Sequence, residues 1–170
     1  NSCFYIDAVS KVAAKTWSTT GHFMSSSYPL PVKIFDPFDF DENSYLLRLS
    51  APVSLKSNGS NADTNKEFYV KMWLSAKHPK QPSVPVYVDG SMRTIGVKGR
   101  QNYQYAAREF YTVTLDMGKT FGSPSLRKSE STSPGPIRFY FNFETVKNEF
   151  GFAFKFWMDE ATASITKYKR

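Results

Sequence analysis

Hydrophobic and polar residues alternate with a period of two over much of this chain. In "PIRFYFNFETVKNEFGFAFKFWM" (136–158), Ile137, Phe139, Phe141 and Phe143 fall on one face of an extended chain, and Arg138, Tyr140, Asn142 and Glu144 on the other. After the polar stretch 145–149 the pattern resumes, with Phe150, Phe152, Phe154, Phe156 and Met158 against Gly151, Ala153, Lys155 and Trp157. The two runs predict a β-hairpin with a ladder of rings on one side.

Upstream, "EFYVKMWLSA" (67–76) sets Phe68, Val70, Met72 and Leu74 against Tyr69, Lys71, Trp73 and Ser75. "REFYTVTLDMG" (108–118) sets Tyr111, Val113, Leu115 and Met117 against Phe110, Thr112, Thr114 and Asp116. Both read as strands, as do "SYLLRLSAPVSL" (44–55) and the short "VYVDG". Pro29 and Pro31 limit "HFMSSSYPLPVKIF" to an edge strand or an extended entry segment. The turn formers of "SNGSNADTN" (57–65) and the prolines of "KHPKQPSVP" (77–85) mark loops, and His78 beside Pro79 is expected to be solvated. The basic stretch "SMRTIGVKGRQNYQYAAREF" reads as a long functional loop or a weak strand pair. Only "YIDAVSKVAAKTW" has helical spacing, with Ile6, Val9, Val12 or Ala13, and Thr16 or Trp17 recurring at three to four.

These elements predict an all-β, antiparallel β-sandwich of about eight strands with jelly-roll (Greek-key) wiring and one short N-terminal helix. The long polar crossing 119–136 ahead of the last strands favours that wiring over a meander. With no repeat, linker or low-complexity tract, the chain is expected to be one domain, 1–170: an arm or helix over 1–30, the sandwich over 31–160 and a basic tail over 161–170. The rings of Phe139, Phe141, Phe143, Phe152, Phe154 and Phe156 are expected to fill the gap of about 10 Å between two sheets, with Phe68, Val70 and Met72 from the facing sheet.

Composition sharpens this. The single cysteine, Cys3, permits no internal disulfide, and no apolar run reaches the ~20 residues of a membrane helix. The net charge of +7 is uneven: residues 1–70 carry six Lys/Arg against seven Asp/Glu, 71–130 ten against four, and 131–170 six against four. A basic middle segment attracts polyanions.

Catalytic chemistry finds little support. His22 and His78 have no zinc-site or dyad spacing, and no phosphate-cradling or nucleophile-elbow motif occurs, so neither enzyme activity nor a cofactor is expected. In "FDPFDFDENS" (35–44), Asp39, Asp41 and Asn43 match the first half of an EF-hand loop. Ser44 and Ser50 stand where its glycine and closing glutamate belong. A solvated acidic turn is expected over 36–43, with bound calcium as the alternative. Asn58 to Ser60 form an N-glycosylation triplet.

The positive groups are the candidates for function. Arg93, Lys98, Arg100 and Arg108 interleave with Tyr103, Tyr105 and Phe110, the combination by which single-stranded nucleic acid is bound through phosphates and stacked bases. Lys11 and Lys15 near one end, and Lys167, Lys169 and Arg170 at the other, add to the candidate nucleic-acid contacts.

Taken together, the stretch "EFYVKMWLSAKHPKQPSVPVYVDG" and the ladder "PIRFYFNF…FGFAFKFWM" resemble the single jelly-roll capsid proteins of small icosahedral viruses, of the satellite-virus or small circular single-stranded DNA virus type. The resemblance is architectural and spans roughly residues 30–160. It implies a non-enzymatic virion protein that self-assembles into an icosahedral shell around RNA or single-stranded DNA. Such proteins carry an Arg-rich arm ahead of the first strand, where this chain has Lys11 and Lys15. A competing expectation is a recognition module of the lectin or carbohydrate-binding type, with Trp73, Trp157, or Tyr103 and Tyr105 as an aromatic platform.

Overall fold

The computed structural model describes residues 4–35, 37–57, 66–98, 105–127, 135–151 and 153–170. Eleven strands are described: β1 (Phe4–Val12), β2 (Lys15–Ser18), β3 (Ser25–Ile34), β4 (Asn43–Ser57), β5 (Glu67–His78), β6 (Gln81–Tyr87), β7 (Arg93–Lys98), β8 (Tyr105–Asp116), β9 (Ile137–Asn148), β10 (Phe154–Met158) and β11 (Ala161–Lys169). A four-residue helix, Met117–Thr120, follows β8, capped by the Asp116 side chain, which accepts from the Gly118 N–H.

The strands form two antiparallel sheets, one of six and one of five. Three pairs of short strands each continue one another in a single row: β6 and β7 along β5, β10 and β11 along β4, and β1 and β2 along the row that β11 and β10 form. Counted in chain order, they reduce the fold to eight rows. The first sheet runs 1-8-3-6, with β4 between β8 on one edge and β10 and β11 on the other. The second runs 2-7-4-5, with β9 between β3 and β5. This interleaved order is the jelly roll that the sequence predicts.

Four expectations are corrected. The helix over 5–17 is instead β1 and β2. A register shift between Ile6 and Ala8 puts Ile6 and Val9 on the same outer face, so a bulged strand imitates a helical spacing of three. The basic tail over 161–170 is β11, a strand held between β1 and β4; small residues hide its alternation of buried Ala161, Ala163 and Ile165 with outward Thr162, Ser164 and Thr166. The stretch 91–110 contributes β7 and the start of β8, at the edges of opposite sheets.

Finally, β9 and β10 are not a hairpin. The chain turns at Gly151 (φ 69°), whose N–H donates to the Asn148 carbonyl at 3.1 Å, and crosses to the other sheet. Alternation reveals which face is apolar and is silent about which strand is the partner. Crossing sets the two ladders face to face: Phe143 stacks on Phe156 at 4.5 Å between ring centres, and Phe68 meets Phe154 edge-on at 4.9 Å. Phe68, Val70 and Met72 accordingly belong to the sheet of β9 rather than to the facing one. Phe139, Phe141, Phe143 and Phe156 are fully buried, as expected of core rings. Each contributes roughly 1.5–3 kcal/mol by leaving water.

Trp17 of β2 closes the gap at one side, 4.9 Å from Phe143. Tyr111 of β8 lies edge-on to Phe141 at 5.4 Å, and its hydroxyl donates to the Ser91 carbonyl at 2.6 Å. Burial pushes the Tyr111 pKa far up, so the phenol stays protonated.

Candidate functional site

Among the described residues the space between the sheets is filled by apolar side chains, and the charged side chains lie on the two outer faces and at the loop ends. The sequence-predicted cations do not converge. Lys11 points outward from β1 and is held by Glu160 at 2.9 Å, a hydrogen bond and charge that raise the lysine pKa. Arg108 points outward from β8 and meets Asp159 at 3.1 Å, so the acidic pair at 159–160 neutralises two of the candidates. Lys15 is exposed on β2. Arg93 serves its own turn, donating to the carbonyls of Gly90 at 2.8 Å and Met92 at 2.7 Å. Lys98 ends β7 opposite Glu67. Lys167 lies 5.8 Å from the Tyr5 ring centre, while Lys169 and Arg170 end exposed beside β4, the Arg170 N–H donating to the Glu42 carbonyl at 2.8 Å. Arg100, Tyr103, Cys3 and the triplet 58–60 lie outside the described residues.

Strand register assembles a different group on the outer face of the first sheet. Lys155 of β10 stands directly opposite Lys56 of β4, and the neighbouring outward rung is Thr16, Trp157 and Ser54. Among the described residues neither lysine has a carboxylate partner. Two depressions flank Trp157: one of about 380 Å³ walled by Thr16, Lys56 and Lys155, another of about 330 Å³ walled by Ser54, Ala106, Ala107 and Arg108. The indole of Trp157, itself half-buried, thus borders both depressions. Sequence reasoning saw Lys155 and Trp157 as the back of the phenylalanine ladder; Lys56 joins them only through long-range pairing.

The outer face of the second sheet differs. Its rings carry lysines: Lys71 lies 5.3 Å from the centre of the Trp73 ring, and Lys77 lies 5.2 Å from that of Tyr140. Lys71 also pairs with Glu144 at 2.9 Å. Asn142, buried between these rings, donates to Ser75 Oγ at 3.0 Å and to the Tyr140 carbonyl at 3.2 Å. Tyr69 lies over Gly96, where any Cβ would overlap the ring.

The acidic turn is tied down by its own hydrogen bonds. Asp39 Oδ1 accepts from the N–H of Asp41 at 2.8 Å and of Glu42 at 3.2 Å, and Asp41 binds Arg127 Nε at 2.7 Å. His78, expected in solvent, is fully buried in a box formed by Phe38 and Phe121. Its Nδ1 accepts from the Lys80 N–H at 3.0 Å, and burial lowers its pKa, with the Lys80 charge adding to the effect. The local prolines suggested a solvated loop, whereas the strand β5 runs on to residue 78 and carries the imidazole inward. Among the described residues no helix is long and apolar enough to cross a membrane.

No protein-family model matches the chain, and no curated protein matches it in sequence. Among solved structures it is similar to infectious bursal disease virus, Gt strain, at 10% identity and a TM-score of 0.35, over 92% of this chain and 38% of that one. An empty virus-like particle of cowpea mosaic virus matches at 11% identity and a TM-score of 0.29, over 82% of this chain and 78% of that one. A carbohydrate-binding module specific for non-crystalline cellulose matches at 10% identity and a TM-score of 0.29, over 79% of this chain and 70% of that one. The chain thus spans less than two-fifths of the length of the infectious bursal disease virus chain it matches.

Proposed function

We propose that this chain is a structural, non-enzymatic virion protein that assembles with copies of itself into a closed shell and contacts nucleic acid with the outer face of its first sheet. The observation that carries the nucleic-acid assignment is the Lys56–Lys155 pair beside the ring of Trp157. Two cations on adjacent strands, without a carboxylate partner among the described residues, suit phosphates, and an indole bordering two depressions suits a stacked base. Lys15 lies on a strand of this sheet, as do Lys167 and Lys169 of β11, with Arg170 just beyond, and these add to its positive charge, whereas Lys11 and Arg108 are held by Glu160 and Asp159. Arg93 and Lys98 belong to β7, in the other sheet, and are not part of this face.

Self-assembly is supported by the jelly-roll order itself and by large apolar side chains left in solvent, among them Phe110, 70% exposed, and Phe23, 61% exposed. A sugar platform on Trp73 is disfavoured because Lys71 lies over that ring. The test is nuclease protection of nucleic acid copurifying with the protein. The Lys56→Gln, Lys155→Gln double variant is expected to retain particles and lose most of the protected nucleic acid. Unchanged protection would overturn the assignment of this face.

A further inference from the structure

One cross-strand rung on the outer face of the second sheet consists entirely of cations. Lys33 of β3 pairs with Arg138 of β9, and Arg138 pairs with Lys77 of β5. All three side chains point outward, since Ile34, Ile137, Phe139 and Ala76 beside them are buried. Adjacent strands lie about 4.8 Å apart, so the row spans roughly 10 Å. Like charges directly opposite one another destabilise a sheet. Among the described residues none of the three has a carboxylate partner, whereas elsewhere on this sheet Lys71 and Lys147 are both paired. Core packing does not call for this arrangement, and any polar side chain would keep the surface wet.

We propose that the Lys33–Arg138–Lys77 rung is a binding site for the sulfate groups of an acidic polysaccharide. A guanidinium set between two ammonium groups offers a forked contact flanked by point charges, a match for oxyanions borne in series on a chain. Beside the rung is a shallow cleft of about 150 Å³, bounded by Lys77, Arg138, Pro79, Pro82 and Pro136. The neighbouring rings decide against single-stranded nucleic acid, which gains much of its affinity by stacking bases. The faces of Tyr140 and Trp73 are occupied by Lys77 and Lys71, so here the aromatics position ammonium groups and offer no free platform. The site stands whether or not copies of the chain form a shell.

The experiment compares the affinity of the whole protein for a heparin oligosaccharide, its fully desulfated counterpart and a short oligothymidylate, in the native chain and in Lys77→Gln, Arg138→Gln and Lys71→Gln. Heparin affinity is expected to fall about tenfold for each cation removed from the rung. It should stay unchanged in Lys71→Gln, and the desulfated chain should bind weakly to all four proteins. Because the substitution relieves repulsion, Tm should hold or rise in Arg138→Gln, which separates lost binding from lost folding; Lys77→Gln also gives up its contact with the Tyr140 ring. Native heparin affinity in both rung variants would overturn the proposal. So would a loss confined to the oligothymidylate, which would make nucleic acid the occupant.

Discussion

The two outer faces of the sandwich use the same ingredients to different ends. Each presents lysines directly opposite other cations, and each presents a tryptophan in the next rungs. On the first face Trp157, among Thr16, Ser54 and Ala106, borders two depressions. On the second, Lys71 folds over Trp73 and Lys77 over Tyr140, so the rings are spent on holding cations. The difference is made by neighbours one rung away, and it teaches that a count of lysines and aromatics cannot assign a ligand. What distinguishes a stacking surface from a charge array is whether the ring face is free.

The largest perturbation should remove the comparison altogether. Phe141 touches Trp17, Tyr111 and Phe156, and so joins both sheets. Phe141→Ala should cost about 3–5 kcal/mol in denaturant unfolding. Both faces should then lose binding in parallel. A near-neutral substitution would show that the ring ladder is not the shared core.

The next effect should separate the faces. Trp157→Ala is expected to weaken oligothymidylate binding by about 1–3 kcal/mol, the worth of one stacked base. Trp73→Ala should leave that affinity unchanged when both are measured by fluorescence anisotropy at one salt concentration. Equal losses would erase the distinction.

Acid should act on one side only. His78 ends β5 next to Lys77, and its folded-state pKa lies below the ordinary value of about 6.5. Above that value both folded and unfolded chains hold it neutral and it contributes no pH dependence. As pH falls below it the unfolded chain takes up the proton first, so stability declines toward the lowered folded-state pKa. His78→Asn, which keeps an acceptor for the Lys80 N–H, should flatten that decline in thermal melts from pH 7 to 5. A native-like slope would place the acid-sensitive group elsewhere.

The smallest effect should come from the cover over Trp73. Lys71→Gln removes a partly exposed ion pair with Glu144 and a cation–π contact, and should cost no more than about 1 kcal/mol of stability. Oligothymidylate affinity should then rise slightly as the ring becomes free. No gain would show that the lysine is not what blocks stacking.

Much of the fold was legible because alternation survives wherever one face is buried. Phe68 to Leu74 and Ile137 to Phe143 announce their inward faces directly. It failed where burial is slight or small residues carry it. Strand β1 exposes most of its side chains and bulges after Ile6, and β11 packs two alanines where a larger residue would have revealed the period. The false hairpin has another cause: local sequence encodes faces, whereas the partners of β10 lie far away in the sequence, in β4 and β2. The site was less legible for the same reason. Lys56 with Lys155, and Lys33 with Arg138 and Lys77, become neighbours only through register. The continuous basic run at 93–108, conspicuous in the sequence, is divided between two sheets.

Sedimentation velocity of the purified protein, with absorbance followed at both nucleic-acid and protein wavelengths, bears most directly on the shell assignment. A boundary of particles of dozens of copies, with nucleic acid cosedimenting, is the expected result. A slow boundary of single chains free of nucleic acid would contradict it.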